Sequence, residues 1–201
     1  MSRARKLLGS TLVAALSLAT VGVTGDSATA DKTALCAGQP GGLPLTVAQW
    51  AEGARLFGAL GDFHRAVSIN SPQAQAYFDQ GMRFLWAFNH DEATRSFAKA
   101  AQLDPQCAMC WWGVALTVGP NYNLAMMAEP RAAVARDALQ QAEKYAGPGT
   151  PVEQALIGAL AKRYPNAPPL DSSDEGPILV AYAQAMKAVA EQFPEIPMSR
   201  S

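Results

Sequence analysis

Three cysteines carry the most pointed chemistry in this 201-residue chain: Cys107 and Cys110, three apart in "CAMCWWG", and Cys36 far upstream. A CxxC pair serves several chemistries, and its surroundings discriminate among them. Covalent haem attachment needs a histidine directly after the second cysteine, where this sequence has Trp111. A structural zinc site needs two further thiolate or imidazole ligands. Only Cys36, His64 and His90 remain for that, at irregular spacings. A dithiol oxidoreductase sets its CxxC in a βαβ context, whereas the pattern on both sides here is helical. The leading reading is a disulfide. Residues three apart are neighbours on a helix, so Cys107 and Cys110 can bridge, stiffening a helix start while closing only a tiny loop. Alternatively Cys36 pairs with either of them, closing a loop of about 70 residues and stabilising more.

A softer ligand set overlaps the pair. Cys107, Met109 and Cys110, with Met126, Met127 and His90 in addition, are the residue types that select Cu(I). Methionine and tryptophan at helical spacing are more often core, so copper or thiol handling stands as the rival reading. His64 and His90 fall in expected turns, and "GPNYN" (119–123) suits a ligand loop or a plain turn equally. No nucleophile elbow, phosphate-binding loop, carboxylate dyad or metalloprotease helix occurs. Nothing in the sequence points to an enzyme, and no cofactor is implied.

Composition narrows the setting. Hydrophobic residues make up 49% and charged residues 16%, and the formal net charge of −1 gives no support for a nucleic-acid partner. Arg3, Arg5 and Lys6 precede an apolar stretch, Leu7 to Val23, and then Ala28-Thr29-Ala30. This is the pattern of a cleavable Sec-type signal, with cleavage expected after Ala30 and delivery to the periplasm or outside the cell. Cleavage removes three basic groups and Asp26, leaving 13 basic against 16 acidic residues, a charge of −3. Export would put the cysteines where disulfides persist. No second apolar stretch is long enough to span a bilayer, so no membrane insertion is expected after cleavage.

The elements that must position these residues read as helices between breakers. Residues 31–45 include the Gly/Pro-rich "CAGQPGGLP", an irregular connector. Thr46 with Gln49 has capping-box spacing and predicts a helix to Gly61, followed by extended or loop chain over "DFHRAVSIN" (62–70). Ser71-Pro72 predicts a helix to about Ala87. Asn89, Asp91 and Glu92 open the next, which Asp104-Pro105 ends while starting another to about Val118. Further helices are predicted from about Pro130 to Gly147, from Thr150-Pro151-Val152-Glu153 to about Tyr164, and from Pro177 to Gln192, the last capped by Ser173 or Asp174.

A repeat explains this order. Tyr77, Gly81, Phe84, Ala93, Phe97, Ala100 and Pro105 fit a 34-residue helix–turn–helix unit, with small residues for close helix approach and large ones filling gaps. The one departure is Gln80, where such units usually carry leucine. A shift of 34 puts Trp111 on Tyr77, Ala115 on Gly81 and Val118 on Phe84; Ala135, Leu139 and Ala142 then match Ala93, Phe97 and Ala100 after an eight-residue insertion. A third unit follows by order and length. The chain resembles the tetratricopeptide repeat (TPR) family, most strongly over its first unit. "YFDQGMRFLWAFNHDEATRSFAKAAQLDPQCAMCWWG…GPNYN" is similar to a group of exported bacterial TPR proteins of undefined role. Members of that group run on through further repeats, which would make this chain a short or truncated one.

The resemblance implies an all-α fold: an α-solenoid of about three TPR-like units over 72–194, with a signal over 1–30, an N-terminal arm with one helix over 31–71 and a tail over 195–201. It implies binding of a peptide or partner protein on the concave face lined by the first helix of each unit. Gln75, Asp79, Met82 and Arg83 are the expected contacts. A structural module of a larger assembly is the other reading that the resemblance allows.

Overall fold

The computed structural model describes residues 42–121, 129–164 and 172–195, and these are all-α, with seven helices and no strand. The helices are α1 (Val47–Ala51), α2 (Pro72–Trp86), α3 (His90–Leu103), α4 (Ala108–Val118), α5 (Glu129–Tyr145), α6 (Pro151–Ala161) and α7 (Ser172–Gln192). The expected signal and its cleavage site, together with Cys36, Met126 and Met127, lie outside the described residues. Among the described residues no helix is long and apolar enough to cross a membrane.

Helix starts follow local chemistry. Ser71 Oγ accepts from Ala74 N, with Pro72 in the first turn, and Asn89 Oδ1 accepts from Glu92 N at the head of α3. Thr150 and Glu153 complete a reciprocal capping box at α6: Thr150 Oγ1 accepts from Glu153 N, and Glu153 Oε2 accepts from Thr150 N at 2.7 Å. Two helices bury faces rich in alanine, α3 with Ala93, Ala98, Ala100 and Ala101 beside Phe97, and α5 with Ala132, Ala135, Ala138 and Ala142. Such small side chains let neighbouring helices approach closely. Successive helices pack on one another, α2 on α3, α3 on α4, α4 on α5 and α6 on α7, while α1 lies against α3.

Three boundaries differ from expectation. The helix opened by Thr46 ends at Ala51 rather than Gly61. Gly53 turns the chain at φ +70°, and Ala59 and Gly61 also have positive φ, so an uninterrupted helix is not formed there. Helix α4 begins at Ala108, not Pro105. Asp104 Oδ1 accepts from Gln106 N and Asp104 O from Cys107 N, tightening residues 104–107 into a turn before the helix. Helix α7 begins at Ser172, so Ser173, Asp174 and Pro177 all fall inside it. Pro177, the sixth residue of α7, lies past the first turn, so the helix forgoes one internal hydrogen bond there.

Phe97 fills the junction between successive helix pairs. It is wholly buried, its ring 5.4 Å from that of Phe78 in an edge-on arrangement. Gly81 of α2 and Gly113 of α4 flank the same ring, with no room at either position for a β-carbon. Arg131 of α5 ties four elements together. Its Nε donates to Val118 O at 2.9 Å and its NH2 to Asp91 Oδ1 at 2.8 Å, and the guanidinium lies 5.2 Å from the buried ring of Trp50 in α1.

Candidate binding site: a filled backbone track and an apolar cavity

The sequence-predicted contacts come together on α2, and they already have occupants. Residues 63–70 run without regular secondary structure past α2, and side chains of the helical body take hold of their main chain. Asp79 is the hub. Its Oδ2 accepts from His64 Nδ1 at 2.7 Å, and its Oδ1 accepts from Arg65 N at 3.1 Å and from Gln75 Nε2 at 2.9 Å. Gln75 Nε2 also donates to Arg65 O at 2.9 Å, and Arg83 donates to Phe63 O through Nε at 3.1 Å and NH2 at 2.7 Å. Met82 is buried in the core. Of the four expected partner contacts, three therefore hold the chain's own segment, and the fourth is covered.

Two further carboxylates continue the track. Asp104, at the end of α3, accepts from Asn70 N through Oδ2 at 2.6 Å. Glu153 of α6 accepts from Ser68 N through Oε1 and from Ser68 Oγ through Oε2, both at 2.6 Å. Both are buried, and their hydrogen bonds offset the cost of burying charge. Gln80 performs the same task upstream. Its Oε1 accepts from Phe57 N and its Nε2 donates to Arg55 O, both at 2.8 Å. The residue that departs from the repeat pattern is thus the one that anchors residues 55–57. Asp104 and Glu153 were legible only as a helix stop and a capping box.

Beside the track, α2, α4, α6 and α7 enclose a cavity of about 270 Å³, walled by Trp86, Trp112, Leu116, Leu156, Tyr182 and Met186. Arg65 and His90 also line it. Burial lowers the pKa of the half-buried Arg65 guanidinium, and the Glu153 carboxylate acts the other way. Burial likewise lowers the pKa of His90, against the field of Asp91 and with those of Arg131 and Arg163. Phe88 stands 67% exposed between α2 and α3 with φ +58°, a conformation unfavourable for a bulky residue.

The cysteine pair lies elsewhere. Cys107 and Cys110 form a disulfide, with Cα atoms 5.3 Å apart, buried at the head of α4 where Cys107 Sγ also accepts from Cys110 N. Met109 is buried beside them. With both sulfurs bonded to each other, neither is a thiolate ligand in this state. Among the described residues, no group of three or more His, Cys, Asp or Glu side chains is placed to hold a metal ion. The described start of "GPNYN" is fixed from the end of α6. Arg163 NH2 donates to Pro120 O, and the Tyr164 hydroxyl packs against Gly119 while donating to Ala115 O at 2.6 Å. No family model matches the chain, and no curated protein or solved structure matches it either.

Proposed function

We propose that this protein is an exported helical-repeat scaffold of the TPR type, a solenoid of about three units that binds an extended segment of a partner polypeptide. The observation that carries the reading is the track on α2. Gln75, Asp79 and Arg83, continued by Asp104 and Glu153, grip residues 63–70 chiefly by their main chain, with side-chain contacts only at His64 and Ser68. Donors and acceptors so arranged suit any extended chain, and affinity then comes from a few well-packed anchors. The chain's own segment is the resident occupant, and a partner segment would displace it. The buried disulfide agrees with export to an oxidising compartment. Thiol or copper handling is the weaker reading, because it requires the reduced pair.

The test supplies the occupant in trans. A labelled peptide of residues 62–71 is titrated against the full chain, against Ser68→Pro, and against Ser68→Pro combined with Asp79→Ala and Glu153→Ala. Proline at 68 removes the amide and hydroxyl that Glu153 holds while leaving the track intact. Binding is expected for Ser68→Pro, weaker binding for the full chain, and none for the triple variant. Equal binding, or no binding, across all three would remove the peptide track from consideration.

A further inference from the structure

The cavity beside the track carries an inference independent of the peptide reading. An apolar cavity needs no ligand by itself, but this one is not purely apolar. Arg65 is one of its wall residues, and the Arg65 guanidinium has no hydrogen bond or ion pair among the described residues, while the oxygens of the carboxylate whose field it feels, Glu153, are engaged with Ser68 and Thr150. Around His90, Asp91 is paired with Arg131 at 2.8 Å, which leaves Arg163 in excess. The buried Nδ1 of His90 has no hydrogen-bond partner, and neither has the buried Nε of Arg163. Arg163 stacks over the wall residue Tyr182 at 5.4 Å. A guanidinium without a hydrogen-bonding partner is costly where it is partly shielded from water. Trp86 is 49% exposed and Phe88 is held strained and open nearby, so aromatic surface remains uncovered.

We infer that this cavity binds a small free monocarboxylate with a single aromatic ring or short branched chain as its body. The body packs among Trp86, Trp112 and Tyr182, and the carboxylate takes the Arg65 guanidinium as a charge-assisted partner. The volume, about 270 Å³, sits at the low end for ligand pockets and matches one ring or short chain. A free acid fits better than the end of a polypeptide. Arg65 belongs to the segment that fills the track, so a peptide that displaced this segment would carry the cation away from the cavity.

Calorimetric titration and thermal shift of the full chain test this, with phenylacetate, 4-methylpentanoate, acetate, phenylacetamide and a short peptide ending in phenylalanine. The two apolar acids are expected to bind saturably at one site and raise Tm. Phenylacetamide should bind about tenfold or more weakly, as loss of a charge-assisted bond requires, and acetate not measurably. Arg65→Gln should lose about tenfold in acid affinity while the Tm of the unliganded chain stays equal or rises, because residue 65 is held by its main chain and a costly unpaired cation is removed. Leu116→Trp, which fills the cavity, should abolish binding. The inference is overturned if neither acid saturates, if acid and amide bind alike, if Arg65→Gln binds as the parent does, or if the peptide binds in preference to the free acids.

Discussion

Phe97 is a single ring on which two helix pairs meet, and its neighbours set how much change the junction tolerates. A β-carbon at Gly81 would lie 2.7 Å from Phe97 Cε1, and one at Gly113 would overlap the same ring. Phe78 closes a third side, so the ring has little room to retreat. Gly113→Ala should therefore destabilise by up to about 2 kcal/mol net, since overpacking costs ~1–3 kcal/mol against ~1 kcal/mol gained in helix propensity. Gly158, exposed on α6 with nothing within 4 Å of its notional β-carbon, is the control. Gly158→Ala should stabilise by up to ~1 kcal/mol, and urea melts of both variants check the opposite signs. Gly81 was legible in the sequence as the small place in a repeat. Gly113 was not, because a shift of 34 points to Ala115 instead, and Gly113 faces a residue of the preceding pair. Gln80 was legible as an anomaly, but its role was not, because Phe57 and Arg55 approach it from more than twenty positions away.

At the scale of elements, three of the seven described helices could be read from their caps, because Ser71, Asn89 and Thr150 each satisfy a free amide within three residues. What spacing could not give was where a cap fails to lead to a long helix, as after Thr46. The outcome there depends on Gly53 and on distant acceptors. The end of α6 offers a test of how such distant contacts act. Tyr164 follows α6 and donates to Ala115 O in α4 at 2.6 Å, and burial pushes its hydroxyl pKa up to about 12. The unfolded chain loses this proton at 10.0, the folded chain only near 12. Its contribution is complete below pH 10 and is lost as pH rises from 10 toward 12. Tyr182, also raised by burial, adds in the same direction. Tyr164→Phe should lower Tm at pH 8 by the equivalent of ~1 kcal/mol for the lost hydrogen bond and flatten the alkaline fall. Tm followed from pH 8 to 11 reads both effects.

Across the whole molecule, the segment 63–70 joins parts that are far apart in sequence, with Ser68 bonded to Glu153 85 residues on and Asn70 to Asp104 34 residues on. Glu153→Gln replaces an acceptor with a donor facing the Ser68 amide and hydroxyl and the Thr150 amide, so a loss of ~1.5–3 kcal/mol is expected. Hydrogen exchange should then quicken at residues 65–70 while α3 and α4 keep their protection; unchanged exchange at 65–70 would show that Glu153 does not hold the segment. This long-range tie was invisible in the sequence, where "DFHRAVSIN" showed only the absence of a helical period. It also acts as a length gauge. From Arg65, on Asp79, to Asn70, on Asp104, the chain can extend no more than about 18 Å, with the Glu153 grip on Ser68 between them. A further helix pair inserted between α3 and α6 would carry Glu153 out of reach. An ordinary repeat array is free to gain or lose units anywhere along its length; on the repeat reading proposed above, this chain would instead have its count fixed between α2 and α6.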